Sequence, residues 1–182
     1  MPAATLIWLA IGWSGFVFLP WYGLEDGITR TPLRFYLGDE AGPGLVQALL
    51  HGRWWLWPIM ATLAAPLLAL RRGLDERRIG TLFALAGGAG LSWLWIQGFA
   101  LTHKGWGWAV LHDLFGPTGQ RQFGMGWGAA ATATALLFVL TTGIAKRGAM
   151  RGDAFVTGAI GLVLASVTLF VFWPVLEVLF EA

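Results

Sequence analysis

Between Asp153 and Glu177 the chain reads AFVTGAIGLVLASVTLFVFWPVL (residues 154–176), without a charged residue. At about 1.5 Å per residue, a helix of that length crosses the roughly 30 Å hydrocarbon core of a bilayer. A basic patch (Lys146, Arg147, Arg151) precedes the run, and Trp173–Pro174 stands near its end. Four more runs of the same kind lie upstream, so a polytopic helical membrane protein is expected.

The composition agrees. Of 182 residues, 57% are hydrophobic and only 12% charged, with a mean hydropathy of +0.65. Soluble domains carry about 25% charged residues. The 26 glycines and 12 tryptophans suit a bilayer, where glycine lets helices approach closely and tryptophan prefers the headgroup layer. The net charge of +2 sits in short loops, as membrane topology demands, and not in a groove for nucleic acid. The lack of cysteine removes disulfides, thiol catalysis, iron–sulfur clusters and cysteine-zinc sites. No basic residue precedes the first apolar run, which is therefore read as a retained span and not a cleaved signal.

Span one is expected from about Ala4 to Tyr22, with Pro20 near its end. A long connection follows, in which Glu25, Asp26, Asp39 and Glu40 stand against Arg30, Arg34 and Arg53. Its last part, GPGLVQALLHGR, has apolar residues at helical spacing and reads as a short interfacial helix steered by Gly42-Pro43-Gly44. Span two, Trp54–Leu70, is the shortest. It opens on Trp54, Trp55 and Trp57, read as interfacial anchors, and Pro58 and Pro66 predict kinks where neighbouring helices satisfy the freed carbonyls. Arg71, Arg72, Arg77 and Arg78 crowd the loop that follows.

Span three, Ile79–Leu101, carries Gly87, Gly88 and Gly90, then Gln97. Trp106 and Trp108 in the next connection read as further interfacial anchors, on a segment stopped by Gly116-Pro117. Span four, about Phe123–Ala145, places Gly124, Gly128 and Thr132 four apart on one predicted face; Gly158 and Gly161 punctuate span five. These small residues read as packing surfaces. Trp173 is the outer anchor of span five. The basic residues (Arg71, Arg72, Arg77, Arg78; Lys146, Arg147, Arg151) alternate with sparser loops, which puts the N-terminus in the cytoplasm and the C-terminus outside. The expected fold is thus all-α: a four-helix membrane bundle over 1–152 and a fifth span over 153–182, with interfacial helices in the outer loops.

Chemistry is sparse. No Asp, Glu, Lys or Arg falls inside a predicted span, which argues against a self-contained pump or transporter. Gln97 and the span-four threonines read as interhelical hydrogen-bonding groups. His51, His103 and His112 lie at span ends or in loops and read as exposed interfacial histidines, since haem ligands in bundles project from facing helices. Asp113 beside His112 lacks a nucleophile, and G-x-S-x-G, Walker A and H-E-x-x-H motifs do not occur. No catalytic, cofactor or metal site is expected.

From about Ala84 onward, three segments carry a family resemblance: WLWIQGFAL…GWGWAVLHDLFGPTG, QRQFGMGWGAAA and RGDAFVTGAIGLVLASVTLFVFWPVLEVL. They resemble the N-terminal membrane region of bacterial ABC importer permeases of the ferric-iron type. In those permeases a basic stretch precedes a span with an aromatic-proline end, the first helix of the transport core; Phe172-Trp173-Pro174-Val175 corresponds to that end. The resemblance implies an inner-membrane location and three partners: the remaining permease core, an ATPase subunit and a periplasmic binding protein. It also implies that this chain is a leading piece that does not transport alone, because the E-A-A-x-x-x-G loop that couples such permeases to their ATPase is not in it. No binding residue transfers onto these positions. The alternative reading is a membrane scaffold or assembly subunit with no transport role.

Overall fold

Alanine dominates the segment after Met125, and alanine is the strongest helix former. Helix α6, Trp127–Lys146, forms there and ends where Gly148 takes a left-handed φ of 106°. The rest of the molecule is arranged around α6. The computed structural model describes residues 3–23, 36–38, 41–70, 74–102, 105–117, 124–172, 174–175 and 178–179. The charges Glu25, Asp26, Arg30, Arg34, Asp39, Glu40, Arg71 and Arg72, together with His103 and Trp173, lie outside the described residues.

In chain order, α1 (Ala3–Phe18) stops ahead of Pro20, which has no N–H to extend a helix. The short α2 (Gly44–Leu49) follows Pro43. The segment 54–70 is helical throughout but unevenly wound: a 3₁₀ turn at Trp54–Leu56, α3 at Trp57–Ala64, then 3₁₀ again at Ala65–Leu70. Helix α4 runs Glu76–Ala100 and leads into a two-residue strand, β1 (Leu101–Thr102), paired antiparallel with β2 (Gly105–Trp106). Helix α5 (Ala109–Phe115) stops at Gly116, φ 77°. After α6 comes a tight link, and then α7 (Ala154–Val167), which continues as a π-turn over Thr168–Phe172.

Among the described residues three helical stretches are long and apolar enough to cross a membrane: Glu76–Gly98, Trp127–Lys146 and Ala154–Phe172; Ala4–Phe18 and Trp54–Leu70 are shorter and apolar. The chain is a helical membrane protein. α4 begins earlier than the sequence suggested. Asp75 accepts from Ile79 N at its start and Glu76 occupies the first turn, so Arg77 and Arg78 ride on the helix and not in a loop.

Successive apolar stretches run back and forth between two ends. At one end Lys146 Nζ donates to Glu76 Oε2 at 2.9 Å, tying the end of α6 to the start of α4. At the other, the chain after α1 is stitched to the approach to α6: Gly23 N to Gly124 O at 3.0 Å, Gly126 N to Trp21 O and Gly128 N to Pro20 O, both at 2.8 Å. A larger core lies toward this second end (Phe16, Trp21, Trp55, Leu56, Ile59, Leu136) and a smaller one toward the first (Leu9, Ala69, Phe83, Val139).

Backbone proximity decides the packing. A Cβ on Gly87 would sit 2.6 Å from both the Leu136 carbonyl oxygen and the Leu140 nitrogen, and one on Gly143 would strike the Ala84 backbone. Gly124 has open space around it. Gly87→Leu is expected to destabilise the detergent-solubilised chain by about 2 kcal/mol through overpacking. Gly124→Leu should stay within about 0.5 kcal/mol. Denaturant titration followed by circular dichroism checks both; equal losses at the two positions would refute the packing assignment.

Candidate functional site

Two places concentrate features beyond ordinary helix packing: the face along which α6 meets its neighbours, and a knot of aromatic and polar side chains at the end where 54–70 begins. α6 buries Gly128, Thr132, Ala135, Val139 and Gly143, a nearly continuous small-residue stripe at helical spacing. α1 lies against its first half. Thr132 Oγ1 donates to the Gly12 carbonyl at 3.3 Å, and the Trp8 and Phe138 rings stack with centroids 3.9 Å apart. Gly128 faces the Leu19 and Gly15 carbonyls. α4 lies against another flank through Gly80, Gly87 and Gly90, the last touching Leu136 and Thr62. α7 meets α6 through Gly158, against Phe138, and Gly161, against Thr141.

Two of the small residues singled out from the sequence do no such work. Gly124 lies before α6, because the chain there is still paired with Gly23 and the helix starts only at Trp127. Gly88 points to the side of α4, with only Leu140 Cδ1 near, at 3.8 Å. The packing glycines that escaped the sequence reading include Gly12, Gly15, Gly80 and Gly143 on the helices of the bundle. A signal existed for Gly80, since Gly80, Ala84 and Gly87 stand at i, i+4 and i+7 on one helical stripe.

The knot centres on Trp55. Pro58 has no N–H to offer the Trp55 carbonyl three residues back, which is the bond a 3₁₀ turn would make. That carbonyl accepts from Trp93 Nε1 at 2.7 Å and Gln97 Nε2 at 3.1 Å, both from α4. The Trp55 indole in turn donates to Tyr22 Oη at 3.0 Å. The rings of Trp106 and Phe115 close over it, at 5.1 and 6.3 Å, and the Arg53 guanidinium lies 4.7 Å from the centre of the Tyr22 ring. Trp55 is only 3% exposed. Its expected role as an interfacial anchor is therefore corrected: β2 and α5 fold back over it. Trp106 is half-buried in the same knot, whereas Trp54 (62% exposed), Trp57 and Trp108 face outward.

The described histidines stand apart from one another. His51 Nε2 lies 2.8 Å from the Leu37 carbonyl, and His112 Nδ1 is 3.7 Å from the Asp113 carboxylate, both exposed. Among the described residues no group of three or more His, Asp or Glu is placed to hold a metal. Arg77, Arg78, Lys146, Arg147 and Arg151 all lie at the end marked by the Lys146–Glu76 pair. No family model matches the chain, and neither a curated protein nor a solved structure does.

The Trp55 carbonyl makes a direct test of the knot. Gln97→Leu is expected to cost about 0.6–1.7 kcal/mol, the range for interhelical hydrogen bonds in membranes. Combining it with Trp93→Phe should cost more than the two single changes together, because the carbonyl then loses both donors. A double-mutant cycle on detergent unfolding measures the coupling. Strict additivity would show that the two donors act independently.

Proposed function

We propose that this chain is the N-terminal membrane part of an ABC-type importer permease for ferric iron or a similar small solute. It crosses the bacterial inner membrane five times, N-terminus in the cytoplasm and C-terminus outside. α7 is the first helix of the transport core, and the other four spans form a bundle packed beside it. α2 and α5 lie in the outer interface, with Leu49, Leu50, Val110 and Leu114 exposed for lipid.

The observation that carries the reading is the position of α7. The stretch Ala154–Phe172, α7 with its π-turn, is the most apolar of the three, yet only about a tenth of it is buried, against half of α6. It packs chiefly on α6 and leaves Phe155, Val163, Leu164 and Phe170 uncovered. An edge helix of this kind is what a core would join. In the bundle behind it the charged residues of α4 and α6 (Glu76, Arg77, Arg78 and Lys146) sit at the helix ends and not midway along the spans, which suits support better than a solute path.

The length of the second apolar stretch supports a crossing there. With 3₁₀ winding over three and six residues around an eight-residue α-helix, Trp54–Leu70 reaches about 30 Å, because a 3₁₀ turn rises about 2.0 Å per residue. The same composition wound entirely as α-helix would fall short.

Affinity purification of the tagged protein from its native membrane tests the proposal. The expected result is that a permease core and an ATPase subunit come with it, and that the genomic reading frame near Ala182 leads into further spans with an E-A-A loop. Recovery without any ATPase, from a locus encoding none, would overturn the permease reading and favour a scaffold.

A further inference from the structure

At the basic end a cleft of about 370 Å³ opens between the start of α4, the end of α6 and the start of α7, lined among others by Glu76, Thr142, Lys146, Arg151 and Ala154. We infer that this cleft binds the phosphate of an anionic phospholipid headgroup, with Arg151 and Lys146 as its cationic contacts. The inference needs only that the helices lie in a membrane; it does not rest on the permease reading.

Charge and shape both point to such a ligand. Lys146 and Arg151 outweigh the single carboxylate of Glu76 in the lining. Lys146 is held at 14% side-chain exposure by that carboxylate, which is itself 80% exposed. The exposed carboxylate is solvated and weakly held, so a second anion in the cleft can share the ammonium. Asp153 does not line the cleft, and its Oδ1 caps α7 by accepting from Phe155 N and Val156 N at 2.9 and 3.0 Å.

The link that carries Arg151 is unusual. Met150 and Arg151 hold φ of 47° and 57°, in the left-handed region that side chains seldom adopt, between Gly148 and Gly152, which are also at positive φ. Such backbone persists only where the surroundings fix it. Here it turns the chain sharply enough to bring Arg151 into the wall of the cleft. Beside the cleft the uncovered apolar surface of α7 begins, with Phe155 84% exposed. A cationic cleft next to an apolar flank fits a molecule with a phosphate at one end and acyl chains at the other. Basic residues at the cytoplasmic surface draw anionic lipid for the same electrostatic reason.

Native mass spectrometry of the detergent-solubilised chain, with added phosphatidylglycerol, phosphatidylcholine or inorganic phosphate, tests this. Phosphatidylglycerol should be retained about tenfold more tightly than phosphatidylcholine, and Arg151→Gln should lose roughly that factor, as expected for one charged hydrogen bond. Arg151→Lys should keep most of the binding, and Glu76→Gln should strengthen it by removing the competing carboxylate. Arg151 is exposed, so melting curves are expected to show all variants folded. Equal retention of the two lipids, or an Arg151→Gln variant that binds like the parent, would overturn the assignment. Inorganic phosphate displacing phosphatidylglycerol at equal concentration would overturn the lipid as source.

Discussion

Lipid tails are as apolar as leucine, so two helices in a bilayer gain nothing by burying leucine against each other. What holds them is close contact, and here the closest contact is backbone on backbone. Gly87 and Gly80 of α4 lie on Leu136, Leu140 and Gly143 of α6, with no room for a methyl group between them. α1 reaches another part of α6 by the same means, through Gly12 and Gly15. α7 uses larger partners, Phe138 and Thr141, against its own Gly158 and Gly161. One alanine- and glycine-rich helix therefore meets three others.

Removing water has a second consequence: each polar group must find a partner inside the protein. The segment 54–70 has two prolines and would leave carbonyls stranded in an isolated helix. The structure answers at Pro58 with Trp93 and Gln97, and the resulting knot fixes where 54–70 meets α4. The opposite end of the bundle is built differently, from exposed charge and left-handed turns. The molecule thus has a closed aromatic end, a basic end, and one long flank along α7 without a protein partner among the described residues.

Much of this was legible in residues alone. An uncharged run such as 154–176 has few readings, and Gln97, a polar group within an apolar span, was recognisable as an interhelical hydrogen-bonding group, though not its acceptor at Trp55. The glycine faces were legible in kind but not in detail. Gly124 continued the four-residue spacing on paper, yet the chain before Trp127 is paired with Gly23, and the helix never reaches it. Gly143 stood alone in its half of α6, and only the antiparallel neighbour shows that it meets Gly80. Trp55 misled because a tryptophan at a span boundary resembles its neighbours Trp54 and Trp57. Its burial depends on β2 and α5, fifty and more residues away, and no local pattern encodes that. The two basic loops were placed on one side by counting arginines and lysines, and the described ones do share one end of the bundle.

The central claim is that the two ends of this bundle face opposite sides of a membrane. The chain has no cysteine of its own, so single cysteines report cleanly. His51→Cys and Asp113→Cys mark the aromatic end, and Asp75→Cys and Ala149→Cys the basic end. In intact spheroplasts a membrane-impermeant maleimide should label the first pair, and the second pair only after the membrane is broken. Labelling of all four from one side, or recovery of the protein in a detergent-free soluble fraction, would contradict the claim.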